Sequence, residues 1–164
     1  MTDGFVLIDK PTEWTSHDAV ARCRRIFKQK RVGPAGTLDP GATGVLLVGL
    51  GRATRLLKYV GDLAKAYVGE VVLGSTTNTL DADGDVTATF EMGGVTRDEV
   101  VAAASKFVGD IEQIPPMVSA VQIGGQRLHD LARQGIEVER KPRPVTIHSI
   151  DVIGEPTAGV FTLD

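Results

Sequence analysis

The sequence predicts an α+β fold built as one globular unit. Short apolar, β-prone runs recur along the chain, separated by glycine- and proline-rich breaks. Two longer stretches carry apolar residues at helical spacing behind clear capping signals. The third observation is bulk composition. Over 164 residues, 42% are apolar, enough to bury a core in about one domain's length of chain. No segment approaches roughly 18 uncharged apolar residues, and no basic stretch leads into an apolar run near Met1. A cytoplasmic, soluble protein with no membrane partner is expected. Cys23 is the single cysteine, so an internal disulfide and a multi-cysteine zinc cage are excluded, and the buried face of a helix suits it best.

Phe5-Val6-Leu7-Ile8 is the first strand, closed by Asp9-Lys10-Pro11 because proline cannot donate to a ladder. Thr15 then offers a hydroxyl N-cap with Asp18 three residues on, and Ala19, Val20, Cys23, Ile26 and Phe27 form a helical apolar stripe. Residues 33–44 hold four glycines and two prolines and read as irregular, leading into a buried strand at Val45-Leu46-Leu47-Val48. A short helix is expected from Arg52 to Val60, a strand from Tyr67 to Leu73, a polar turn from Thr77 to Asp85, and a hairpin return from Val86 to Phe90. Thr96 and Glu99 form a capping box for a helix whose stripe is Val100, Val101, Ala104, Phe107 and Val108, ended by Gly109. After the break at Pro115-Pro116, a short helix runs from about Arg127 to Gln134 and stops at Gly135. Val145 to Ile153 and Val160 to Leu163 are the last strands, the final one expected to present an unpaired edge prone to association.

Charge is uneven along the chain. Residues 1–60 hold ten Lys/Arg against five Asp/Glu, residues 61–126 three against ten, and residues 127–164 five against six. Arg22, Arg24, Arg25, Lys28, Lys30 and Arg31 fall within ten residues, and Arg52, Arg55 and Lys58 follow at helical spacing. A lone cluster of this kind is usually a solvated helix face. Two clusters flanking one glycine-rich loop favour a phosphate backbone instead.

Several chemistries are excluded. Gly33-Pro34-Ala35-Gly36 has the Gly-x-x-Gly pattern of KH-type RNA clamps, but alone it is weak. No Gly-Lys-Ser/Thr follows for a nucleotide P-loop. The acidic run Asp81-Ala82-Asp83-Gly84-Asp85 fails as a calcium loop, since the turn glycine would fall on Val86 and the bidentate acid on Met92. A solvated hairpin turn is the plainer reading, and no metal site is expected. His17, His129 and His148 lie in unrelated contexts and no nucleophile elbow exists, so no hydrolase triad is present. What remains is Asp39, in a tight loop between a basic helix and a core strand. A bare Asp-Pro is usually a turn.

The surrounding residues change that reading. Gly33-x-x-Gly36-Thr37-Leu38-Asp39-Pro40-x-Ala42-Thr43-Gly44-Val45-Leu46 closely resembles the catalytic motif of the TruB family, which isomerises a T-loop uridine of tRNA. The resemblance extends through Asp9-Lys10-Pro11 with Thr15-Ser16-His17-Asp18, Lys65-Ala66-Tyr67, and Thr79-Leu80-Asp81-Ala82-Asp83-Gly84. It continues in Gly109 to Pro115, Ser119-Ala120-Val121, and Leu131-Ala132-Arg133-Gln134-Gly135-Ile136.

The resemblance implies a pseudouridine synthase fold, a mixed but mainly antiparallel sheet flanked by helices, incomplete at its C-terminus. It implies one partial catalytic domain over residues 1–164 with an RNA-binding thumb inserted at about 111–140. Asp39 is then the nucleophile, attacking a flipped-out uridine so that the base can detach, rotate and rejoin through carbon, without a cofactor. Tyr67 is the base-stacking tyrosine; without the resemblance it would be a core strand aromatic. Lys10 braces the loop, and Asp81 pairs with an active-site arginine. Arg24, Arg25, Lys28, Lys30, Arg31, Arg52 and Arg55 are expected to hold phosphates, with Arg127, Arg133 and Arg140 as further contacts from the thumb. The partner is the tRNA T-arm, and the full-length protein is expected to be a monomer. Two features depart from the family. Pro34 stands where the family has a histidine that helps extrude the uridine, which predicts weaker base flipping. The chain also ends before the family's Gly-Thr-Tyr-Ile-Arg segment, so an active enzyme would need that arginine from a longer chain; otherwise a tRNA-binding module without activity is expected.

Overall fold

The computed structural model describes residues 1–61, 63–119, 121–157 and 159–164. The chain divides into two compact units, Met1–Lys65 and Ala66–Asp164.

In the first unit, β1 (Gly4–Lys10) leads to α1 (Ser16–Ile26), β2 (Val32–Pro34) and β3 (Gly44–Leu50), then a 3-10 helix (Gly51–Leu56) and α2 (Leu57–Gly61). The three strands form one antiparallel sheet with β3 in the centre. Helix α1 begins with the expected capping box: the Thr15 hydroxyl accepts from the Asp18 N–H, and the Asp18 carboxylate accepts from the Thr15 N–H at 2.9 Å. Ala19, Val20 and Cys23 on α1 pack with Val32, Leu46, Val48 and Leu50, and Val6, Ile8, Phe27 and Leu38 close the cluster. Ile26, read as part of that stripe, is exposed: the helix ends there and its side chain falls outside the buried arc. The opposite pleat of the sheet leaves Phe5, Leu7 and Val45 exposed, while farther along β3 the Leu57 side chain covers Gly49 on that same face.

Residues 33–44 are not wholly irregular. Gly33 and Pro34 pair with Gly49 and Val48. Proline is tolerated because, among the described residues, β2 is an edge strand with no second neighbour to bond. The expected helix from Arg52 splits into the 3-10 turn and α2.

The second unit runs β4 (Gly69–Val72), β5 (Ser75–Thr77), β6 (Val86–Thr89), α3 (Arg97–Ala104), a 3-10 turn (Ser105–Phe107), β7 (Gly109–Gln113), β8 (Gln122–Ile123), β9 (Gln126–Arg127), α4 (Leu128–Arg133), β10 (Arg143–Ile147), β11 (Val152–Thr157) and β12 (Val160–Leu163). Every pairing among the described residues is antiparallel: β5 with β6, β7 with β10, β8 with β9, and β12 between β11 and β4. The expected free edge at Val160–Leu163 is therefore the central strand of its sheet. The run read as one strand from Val145 to Ile153 is two, with the break at 148–151, and these pair with different partners.

The Thr96–Glu99 capping box starts α3 as expected, yet of the expected stripe only Ala104 is buried, while Val101, Phe107 and Val108 are exposed. Phe107 and Val108 lie beyond Ala104, where the helix gives way to the 3-10 turn and the 3.6-residue period of the stripe is broken, while Val101 is exposed within the helix itself. Helix α4 ends at Gly135 in the left-handed region, where the Ile136 N–H donates back to the Leu131 carbonyl. Ala120, part of the Ser119-Ala120-Val121 motif, lies outside the described residues. Among the described residues no helix is long and apolar enough to cross a membrane.

Candidate active-site loop and nucleic-acid face

The loop from Ala35 to Thr43 leaves β2 and returns to β3, tied at its start by the Ala35 N–H donating to the Leu47 carbonyl at 2.8 Å. Around Asp39, three consecutive carbonyls are each bonded. The Leu38 carbonyl accepts from the Ser16 hydroxyl at 3.2 Å, and the same hydroxyl accepts from the Leu38 N–H at 2.8 Å. The Asp39 carbonyl accepts from the Ala42 N–H at 3.1 Å. The Pro40 carbonyl accepts from the Glu13 N–H at 2.8 Å and from Lys10 Nζ at 3.2 Å. Leu38 adds its side chain to the core cluster. The peptide planes on either side of the Asp39 Cα are thus held while its carboxylate stays exposed.

Lys10 closes this frame from beneath. It is 0% exposed, and its ammonium also donates to the carbonyls of Pro11 at 2.9 Å and Trp14 at 2.6 Å. A buried ammonium is tolerated only when hydrogen-bonded, and here its three protons meet three carbonyls. Glu13, at a positive φ of 65°, donates its N–H to the Pro40 carbonyl. The sequence reading missed Glu13, and it named Ser16 only within the Thr15-Ser16-His17-Asp18 motif, without its bonds to Leu38. Beside that motif, the local signal for Ser16 is a second hydroxyl directly after the Thr15 cap, a position where capping needs none.

The basic residues of the two clusters in the first unit are exposed. Arg24, Arg25, Lys28, Lys30 and Arg31 are exposed at the end of α1 and beyond it, and Arg52, Arg55 and Lys58 on the helical segment after β3. Arg31 Nε donates to the Thr54 hydroxyl at 3.0 Å, bringing the two clusters together. Three of these side chains also serve the fold. Besides Arg31, Arg24 donates to the Val32 carbonyl at 3.1 Å, and Arg52 pairs with Asp3 at 2.7 Å. Hydrogen bonds from the Arg52 backbone N–H and then its guanidinium lower the Asp3 carboxyl below its ordinary value. Pro34 is half-buried at the end of β2, opposite Val48.

The remaining candidates lie in the second unit. Tyr67 precedes β4 rather than lying within it and is 63% exposed, which is not the position of a core aromatic. Asp81 sits in the turn between β5 and β6, its carboxylate accepting from the Thr79 hydroxyl at 2.6 Å and from the Asp83 N–H at 3.0 Å. Reciprocal bonds between Asn78 and Asp85 close that turn. Arg127 and Arg133 line a pocket of about 610 Å³ with Gln122, Gln126 and Asp130, the last pairing with Arg133 at 3.7 Å.

Residues 24–162 match the model of the TruB family pseudouridylate synthase N-terminal domain. The chain belongs to the TruB family. Its match to tRNA pseudouridine synthase B of Trichormus variabilis is 51% identical over 150 residues, covering 92% of this chain and 51% of that protein. The corresponding protein of Rhodococcus jostii is 46% identical over 158 residues, covering 96% and 52%. The chain therefore spans about half the length of the TruB relatives it matches. Among solved structures, a Cbf5-Nop10-Gar1 complex aligns with a TM-score of 0.61 at 28% identity, over 98% of this chain and 38% of the matched one. An H/ACA RNP bound to a substrate RNA containing 2'-deoxyuridine aligns at 0.63 and 24% identity, over 98% and 36%, and shares the fold. The α+β class read from the sequence is that of these proteins.

Proposed function

We propose that this chain is the nucleophile-bearing part of an isomerase that converts uridine to pseudouridine in the T-loop of tRNA. The observation that carries this reading is the framed Asp39 loop: an exposed carboxylate on a backbone tied at Leu38, Asp39 and Pro40. A nucleophile must be held against recoil while the base rotates, and a frame anchored to a core strand and a buried ammonium does that without a cofactor. Asp39 attacks the uridine once it is flipped out of the T-loop; the base detaches, turns and rejoins through carbon. Tyr67 offers its exposed ring as the stacking platform that offsets lost base stacking. Asp81 orients an arginine from the portion that relatives carry beyond this chain's span.

Arg24, Arg25, Lys28, Lys30, Arg31, Arg52 and Arg55 grip the T-arm phosphates, with Arg127 and Arg133 reaching from a thumb spanning about 111–140 within a single catalytic domain. Pro34, lacking a ring donor, makes base extrusion slower than a histidine there would. The protein works in the cytoplasm as a monomer.

A second reading is tRNA binding by this chain without turnover. One comparison separates the two. Unmodified tRNA transcript is incubated with the chain and with its Asp39→Ala variant, and T-loop pseudouridine and tRNA binding are measured. Product from the parent alone supports the isomerase. Binding by both without product supports the binding module, and binding by neither overturns both readings.

A further inference from the structure

We infer that Ser16 is a positioning residue for the nucleophile, acting through the Leu38 backbone; this rests on the function proposed above. Ser16 is 2% exposed and is the first residue of α1, where the helix itself asks nothing of its side chain because Thr15 already caps the N-terminus. Its hydroxyl is spent elsewhere. It accepts from the Leu38 N–H and donates to the Leu38 carbonyl, using one hydroxyl as both ends of a bridge across 22 residues of sequence.

The Leu38 carbonyl belongs to the same peptide plane as the Asp39 N–H, so fixing it fixes the rotation of the chain as it enters the nucleophile. On the far side, Pro40 is held by Glu13 and Lys10. The entry side has no comparable tie except Ser16 among the described residues. Loss of the hydroxyl leaves both polar groups of Leu38 without their partner and frees that plane to turn. The carboxylate then samples directions away from the base, while the basic face that binds RNA is untouched.

The measurement is single-turnover pseudouridine formation by the intact protein at saturating tRNA, alongside tRNA Kd and melting temperature, for Ser16→Ala, Ser16→Thr and Thr96→Ala. Thr96 caps α3 in the other unit, and its loss weakens the fold without touching the loop. Ser16→Ala is expected to lower the rate by on the order of 10- to 100-fold, the scale of a small misplacement of a reacting group, with Kd unchanged within about twofold. Ser16→Thr keeps the hydroxyl and is expected to retain most of the rate. Amide exchange at Leu38 accelerates in Ser16→Ala while Val48 stays protected.

A rate loss no larger than that of Thr96→Ala, or one that tracks Kd or melting temperature, overturns the inference. So does unchanged Leu38 exchange. Parent protein that makes no pseudouridine overturns the proposed function together with this inference, whereas an active parent with an equally active Ser16→Ala overturns this inference alone.

Discussion

A lysine with no exposed surface must recover the hydration its ammonium loses, and Lys10 does so through three carbonyls, those of Pro11, Trp14 and Pro40. Two of these lie in the segment between β1 and α1 and the third follows Asp39, so one charge ties together two stretches of chain 30 residues apart. Replacing Lys10 by Met keeps the stem and removes the donors. The three carbonyls then lose that partner inside the protein, and the expected loss of stability is about 3 kcal/mol, read as a lower urea midpoint with an unchanged slope. Surface lysines behave differently: Lys28 and Lys30 are exposed, and their removal is expected to leave the midpoint nearly unchanged. Sequence alone distinguishes these lysines only by context, because Lys10 stands next to a proline at the end of an apolar strand.

At the scale of elements, the two capping boxes were legible because their chemistry is local. Thr15 with Asp18 and Thr96 with Glu99 close within a single turn, and both form as read. They also set an acid limb to the stability. The Thr15 hydroxyl, then its N–H, holds the Asp18 carboxyl below its ordinary value of 3.8; for Glu99 the Thr96 N–H, then its hydroxyl, does the same against 4.5. The folded state therefore binds these protons less tightly than the unfolded state. Their contribution is complete above the ordinary values and is lost as pH falls through the lower folded ones. Asp18→Asn and Glu99→Gln are each expected to flatten the decline of melting temperature below about pH 4, with little change in its slope near neutrality. A decline as steep as the parent's in both variants contradicts this. Less local features misled: the stripe on α3 assumed one continuous helix, and the strand from Val145 ignored a break that only its pairing partners define.

For the whole molecule, the charge distribution matters more than the net charge of −3. The first 60 residues carry an excess of five positive charges, ten against five, and the structure joins their two clusters through Arg31 and Thr54. Binding to tRNA through this region is expected to weaken linearly in log Kd against log salt. Changing Arg25, Lys28 and Lys30 together to Gln should reduce that slope by about 2 to 3 and weaken binding to any tRNA alike. These three are chosen because Arg24, Arg31 and Arg52 also hold backbone or side chains in place. A titration from about 50 to 300 mM salt measures the effect, and an unchanged slope would remove these residues from the interface.

Much of this protein was determined by local sequence. The α+β class, both capped helices, the buried Cys23, the stop at Gly135 and the singling out of Asp39 follow from turn chemistry, periodicity and a motif whose residues are neighbours in the chain. Long-range closure decided the rest. That Gly33 and Pro34 join a sheet depends on β3 lying beside them, and that Val160–Leu163 is a central strand depends on Gly69–Val72, about 90 residues earlier. That a serine one residue past a helix cap reaches Leu38, and a lysine at a strand end reaches Pro40, depends on packing that places distant backbone groups within 3.2 Å. A hydrogen bond or a ladder is specified by both of its ends, and sequence shows which residues can bond while only the folded chain shows which partners they meet.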